Sequence, residues 1–165
     1  MELKGSCYCG KVKFSCVSHT PYPYMRCYCS ICRKTAGGGG YAINIMAQFD
    51  SMKIEGEQYI DWFHGFYEDP DNQGKMVQSS GKRHFCKHCG SALWVYDQQW
   101  PEWIYPHASC IDTPLPVPPE TTHIMLDSKA PWVEPDIKDQ DQQFARYPDE
   151  SILDWHQRHG LYQED

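Results

Sequence analysis

Seven cysteines constrain this chain more than any other feature: Cys7-Tyr-Cys9, Cys27-Tyr-Cys29-Ser-Ile-Cys32 and Cys86-Lys-His-Cys89. Thiolates are strong ligands for zinc, and two of them spaced one or two residues apart can reach one ion from a single turn. A closed structural zinc takes four protein ligands. A catalytic zinc takes three and keeps one position open. Seven sulfurs divide most simply into four plus three, which predicts one zinc for folding and one for chemistry.

The glycines suggest the division. Gly10 follows Cys9 and Gly90 follows Cys89. A glycine there permits a tight turn with positive φ and lets backbone N–H groups point at sulfur. Cys7, Cys9, Cys86 and Cys89 thus look like matched halves of one site, although spacing alone leaves other groupings open. The middle cluster differs, because Cys27, Cys29 and Cys32 are followed by Arg33, Lys34 and the glycine run 37–40. Three thiolates on a divalent ion leave one excess negative charge, which Arg33 and Lys34 could offset while attracting an anionic ligand. Gly38 and Gly39 would let backbone approach a bound molecule; the alternative is a flexible linker.

Other uses of the cysteines fit less well. The N-terminal Met-Glu-Leu-Lys-Gly lacks the apolar core of a signal peptide, and a total of nine cysteines is odd for a disulfide framework. Reduced thiols and a cytoplasmic location are the expectation. A thioredoxin-like role for Cys86 and Cys89 needs a following helix, whereas residues 91–96 read as a strand. Cys16 alternates with Val12 and Phe14 as a core residue would, and Cys110 reads as a small buried hydrophobe.

With 165 residues, one domain with a sizeable core is expected. The net charge of −7 (15 minus 22) argues against non-specific nucleic-acid binding, and no apolar run approaches membrane-spanning length. Short apolar or alternating runs at 11–17, 40–46, 52–55, 59–63, 92–96, 103–105 and 123–126 predict an antiparallel all-β domain. Residues 65–82 are polar and read as a long loop, and 112–120, with four prolines, as a rigid connector. Residues 149–159 read as a helix with Asp149 as N-cap and Gly160 as its stop. Ile152, Trp155, His156 and His159 would share a face that packs on the domain or on a second subunit.

The order Cys-x-Cys-Gly, Cys-x-Cys-x-x-Cys-Arg-Lys and Phe-Cys-x-x-Cys-Gly resembles the glutathione-dependent formaldehyde-activating enzyme family, which includes the centromere protein V group. Gly81-Lys-Arg-His-Phe-Cys86 and His123-Ile-Met-Leu-Asp-Ser-Lys-Ala-Pro-Trp132 extend the likeness over roughly residues 3–135. The resemblance implies an all-β, zinc-stapled fold of antiparallel sheets, similar to the small zinc-bearing Rab chaperones. It implies a zinc-binding β domain over 1–135, with a tail over 136–165 whose short helix packs on the same domain. It also implies two zinc ions, a structural one on Cys7, Cys9, Cys86 and Cys89 and a catalytic one on Cys27, Cys29 and Cys32. The implied activity is that of a carbon–sulfur lyase, joining glutathione to formaldehyde or a similar small aldehyde, or the reverse. Departures are Tyr28, where members often carry His, and four glycines where a small or serine-containing stretch often follows the cluster.

On that reading Arg33, Lys34, Gly38, Gly39, His107 and Lys129 are candidates for substrate binding, with His107 and Lys129 also placed for proton transfer. Tyr28, Trp94 and Trp132 could line a pocket, although a strand Trp is more often core. The main rival is a non-catalytic binding module, in which a histidine such as His84 or His107 completes the three-cysteine site. A zinc or redox sensor is the second rival. A homodimer through the tail is the expected assembly if the chain is not a monomer.

Overall fold

The computed structural model describes residues 1–69 and 71–164. Pro70 and Asp165, in the expected loop and tail, lie outside the described residues. The strands are β1 (Glu2–Ser6), β2 (Lys13–Val17), β3 (Met25–Cys27), β4 (Ala47–Gln48), β5 (Lys53–Glu55), β6 (Ile60–Glu68), β7 (Met76–Cys86), β8 (Ala92–Tyr96), β9 (Trp103–Pro106), β10 (Thr122–Ile124) and β11 (Gln142–Gln143). Helix α1 (Ser30–Thr35) follows β3, and α2 (Ile152–Arg158) lies near the C-terminus. The architecture is mostly β, as expected, and among the described residues no helix is long and apolar enough to cross a membrane.

Among the described residues the strands form three sheets, ordered β1-β2-β5, β4-β9-β8-β7-β6 and β11-β10-β3. The first two are antiparallel. Period-two alternation places Leu3, Phe14 and Cys16 on the inner face of the first sheet, against Leu93, Trp94 and Ile104 of the second. Phe14 meets Trp94 edge-on, with ring centroids 5.3 Å apart. Each such side chain removed from water contributes about 1.5–3 kcal/mol, so this layer is the main stabilising mass.

The third sheet is parallel, with β10 between β3 and β11. Period-two runs do not distinguish strand directions, and these strands are only two or three residues long. Residues 40–46 form no strand. Ala42, Asn44 and Met46 each bridge a different element, pairing with Cys27, His107 and Thr20 in turn. The expected loop over 65–82 is instead largely the β6–β7 hairpin, paired from Ile60↔Cys86 out to Glu68↔Met76. The hairpin stands clear of the core over much of its length, so its polar composition reflects two wetted faces rather than lack of structure.

The tail helix starts two residues later than expected. Ser151, not Asp149, is the N-cap, its hydroxyl accepting from the Asp154 N–H at 3.1 Å. Gly160 has φ +66° and follows the helix end. Trp155 stacks on Tyr24 at 3.8 Å between centroids, and its Nε1–H donates to Glu120 at 3.0 Å. His156 accepts from the Tyr22 N–H at 3.2 Å, and His159 lies 3.0 Å from Glu120, so both serve this packing.

Candidate metal centres

Two groups of cysteine sulfurs assemble, Cys7, Cys9, Cys86 and Cys89 in one and Cys27, Cys29 and Cys32 in the other, with the sulfurs of each within 4.8 Å of one another. In the first, each half is a turn leaving a strand end. Gly10 and Gly90 take φ +72° and +76°, and their N–H groups close on the carbonyls of Cys7 and Cys86 at 2.9 and 2.7 Å. The Val12 N–H points at the Cys7 sulfur at 3.3 Å. The Ser91 hydroxyl lies 3.2 Å from the Cys89 sulfur and accepts from the Tyr8 N–H at 3.0 Å, locking one turn against the other.

Sulfur separations of 3.5 Å (Cys7–Cys9) and 3.9 Å (Cys9–Cys86) bracket the edge of about 3.8 Å that four thiolates have around tetrahedral zinc. Against a burial penalty, hydrogen bonds from Ser91 and from the Cys9 backbone lower the Cys89 thiol to about 5. A donor set with one thiol already disposed to ionise fits a metal cation.

The second group is carried by β3 and α1. Cys27 ends β3, Cys29 is the N-cap of α1, and Cys32 lies in its first turn. The Cys29 sulfur accepts from the Cys32 N–H at 3.3 Å. The residue pattern did not announce this helix, because it is six residues long and defined by a sulfur cap rather than by apolar periodicity. The neighbouring thiols of Cys27 and Cys32 and the Cys32 N–H hold the Cys29 thiol far below its ordinary value, and the cation of Arg83 adds to this. Cys27, donating to its neighbours, is pushed far above. Among the described residues no histidine or carboxylate joins these three sulfurs. His84 stacks on Trp94 instead, and His107 is buried and pairs with Asn44.

Of the side chains expected near this group, Arg33 and Lys34 occupy the last turn of α1, where the Arg33 Nε is buried without a partner. Gly38 and Gly39 lie in the turn closed by Gly40 N–H on Gly37 O at 3.1 Å. Lys129 donates to the Val133 carbonyl at 3.2 Å. Tyr28, between Cys27 and Cys29 in sequence, is buried with Ala130 and Val133, and its hydroxyl bonds His123 Nδ1 at 2.9 Å. His123 in turn faces Asp141 at 3.4 Å. Trp94 belongs to the main core, and Trp132 is 70% exposed.

Three neighbours escaped the sequence reading. The Arg83 Nη2 points at the Cys32 sulfur at 3.8 Å. Phe144 packs on the cluster of Cys27, Cys32, Ala42 and Ile124. Tyr147 is 73% exposed, yet its hydroxyl is held above its ordinary value, first by burial of the hydroxyl end and then by the negative charge of the three sulfurs. Arg83 lies just past the expected loop, in the segment Gly81-Lys-Arg-His-Phe-Cys86 that leads into the last cysteine pair, and was given no role there. Phe144 and Tyr147 fall in the tail, where no cysteine spacing points to them.

A mostly β chain with two cysteine groups suited to metal is the class of protein that this fold and site define. The chain belongs to the family described as glutathione-dependent formaldehyde-activating enzyme, which matches residues 2–128. A relative from Halomonas elongata, named "Putative glutathione-dependent formaldehyde-activating enzyme", is 52% identical over 161 residues, 98% of each chain. A crystal structure of a Rhodobacter sphaeroides protein aligns with a TM-score of 0.45 and 22% identity, over 68% of this chain and 91% of that one.

Proposed function

We propose that this chain is a zinc-dependent enzyme of the carbon–sulfur lyase type, which adds glutathione or a similar thiol to formaldehyde or another small aldehyde, and catalyses the reverse. The observation that carries the proposal is the contrast between the two sulfur groups. Four sulfurs in interlocked turns satisfy a tetrahedral ion, whereas three sulfurs without a fourth side chain leave a position for substrate. Family membership supports the same reading.

Cys7, Cys9, Cys86 and Cys89 would hold a structural zinc that ties residues 1–10 to the β7–β8 turn. Cys27, Cys29 and Cys32 would hold a second zinc, which when bound supplies an open site that keeps a substrate thiol ionised at neutral pH. The thiolate sulfur attacks the aldehyde carbon, the C–S bond forms, and the carbonyl π pair moves onto oxygen. That oxygen then takes a proton from solvent, so thiol plus aldehyde gives the hemithioacetal with no further reactant. Arg33 and Lys34 would draw the anionic thiol toward the group, and Gly38 and Gly39 would let it approach α1. His107 and Lys129 are assigned to the substrate side of the site. Residues 1–135 would form the zinc-binding domain, with 136–165 packed on it, and nine unpaired cysteines support a reducing compartment such as the cytoplasm.

The test has two readouts on one preparation. Native mass spectrometry of the purified chain is expected to count two zinc ions and a glutathione adduct. Exchange NMR of glutathione with formaldehyde is expected to show turnover above the spontaneous rate, lost in Cys29→Ala. A two-zinc protein that leaves the spontaneous rate unchanged would overturn the proposal.

A further inference from the structure

Beside the three-cysteine group the fold buries polar atoms that it does not satisfy. Arg83 carries five N–H donors in a rigid plane, and among the described residues its side chain makes one hydrogen bond, from Nη2 to the Cys32 sulfur at 3.8 Å. Its Nε and Nη1 are buried without a partner. His107, with 1% of its surface exposed, has an unpartnered Nδ1. Asn44, which bridges His107 through the backbone, has an unpartnered Oδ1. Burial, and then the charge of Arg83, lowers the His107 imidazole to about 4. Leaving such groups unpaired inside a protein is costly, and native structures do so where something else completes the bonding.

The sequence explains how they converge. Arg83 lies on β7, opposite Phe63 in the hairpin and Val95 of β8. Residues 40–46 cross from Cys27, paired with Ala42, to His107, paired with Asn44, so two steps of extended chain separate the sulfur group from the histidine. Arg83 reaches the sulfur group by its contact with Cys32.

We infer that Arg83 is an oxygen-anion subsite of the three-cysteine centre and orients the bound substrate through its free N–H fork. This rests on the thiol–aldehyde reading and adds to it a residue that the sequence marks only as part of the segment leading into Cys86, without a role. A planar, permanently charged fork suits an oxygen anion better than it suits sulfur, and one edge facing Cys32 leaves the remaining donors for a ligand. Two oxygen anions of the proposed reaction fit: a carboxylate of the thiol substrate, and the oxyanion that forms as sulfur adds to the aldehyde.

The experiment uses the full chain as purified with its metal, as wild type, Arg83→Met and Arg83→Lys, with metal content and melting temperature confirming that each variant is loaded and folded. Isothermal titration with glutathione and with glutathione diethyl ester, in which both carboxylates are masked, reads the first source. Turnover reads the second. If Arg83 holds a carboxylate, wild type prefers glutathione over the diester by about tenfold or more, and Arg83→Met removes the preference. If it holds the oxyanion, the two ligands bind alike, and Arg83→Met lowers kcat about a hundredfold with little change in affinity. Arg83→Lys, a charge without a fork, is expected to recover only part of either effect. Should Arg83→Met fail to fold, Arg83→Lys carries the same comparison.

A loaded, folded Arg83→Met with unchanged ligand preference and unchanged kcat would overturn the inference. If wild type binds no glutathione, the thiol–aldehyde reading fails first. The subsite is then read by alkylation of the purified wild-type chain with iodoacetate and iodoacetamide, reagents that differ in a carboxylate. An iodoacetate preference at Cys29 and Cys32 over that at Cys89 would sustain the oxygen-anion subsite, and equal ratios would end it.

Discussion

Cys16, Cys29, Cys89 and Cys110 carry the same thiol in four surroundings. Burial pushes Cys16 and Cys110 up to about 12, and Cys110 donates to the Leu93 carbonyl at 3.0 Å, so both are inert parts of the core. Cys29 and Cys89 are lowered by hydrogen bonds from neighbouring groups. Substitution should separate the two sulfur groups. Cys29→Ala is expected to keep one zinc and a cooperative melt, because the three-cysteine group staples only β3 to a short helix. Cys86→Ala is expected to unfold or aggregate, because its site joins residues 7–9 to 86–89 and structural zinc supplies folding free energy. Native mass spectrometry and thermal circular dichroism check this, and equal instability of the two variants would contradict the division. The two sulfur groups were legible because cysteine spacing is itself a geometric statement. The role of Arg83 was not: its segment leads into Cys86 of the other sulfur group, and nothing in its spacing says that β7 brings it to Cys32.

At the scale of elements, α1 and the β6–β7 hairpin form the wall of the candidate site. The hairpin crosses α1 at Gly65, where an added Cβ would stand 2.7 Å from Ile31 Cγ2 and 2.9 Å from its Cδ1. Ile31 is the residue before Cys32 and is itself buried. Gly65→Val therefore forces α1 away from the hairpin or the hairpin out of register. Overpacking of this kind costs about 1–3 kcal/mol. The expected pattern is a modest fall in melting temperature and a faster loss of one zinc to a chelator, with the second zinc retained. Loss of both together would show that the contact supports the whole fold. Period-two runs marked β2, β5, β8 and β9 of the main core, where one face is buried, but missed β1, whose Leu3 lies in the same core. The same logic failed where burial is weak on both faces, as in the hairpin, and where an extended segment changes partner every second residue, as over 40–46.

Across the whole molecule the tail acts as a strap that ends where the chemistry is proposed. β11 joins the sheet that carries Cys27, Asp141 faces His123, which holds Tyr28, and Phe144 packs on the sulfur group. The strap is anchored at α2, where Glu120 receives Trp155 Nε1 at 3.0 Å, Arg158 at 2.9 Å and His159 at 3.0 Å. Burial works against the Glu120 carboxylate, but these donors, Arg158 foremost, hold its pKa below the ordinary value of 4.5. A carboxyl whose folded pKa is depressed stabilises the fold above its unfolded value and loses that contribution as pH falls through the folded one. The difference in melting temperature between wild type and Glu120→Gln should therefore be full at pH 7 and shrink below about pH 4.5. Thiolate-held metal is released over part of the same acid range in both chains, so the difference isolates Glu120 where either melting temperature alone would not. A difference that stayed constant from pH 7 to pH 3 would mean that the carboxylate charge does not anchor the strap. The stacking of Trp155 on Tyr24 would then carry the attachment, and Trp155→Ala, expected to cost about 3–5 kcal/mol, would be the substitution that frees it.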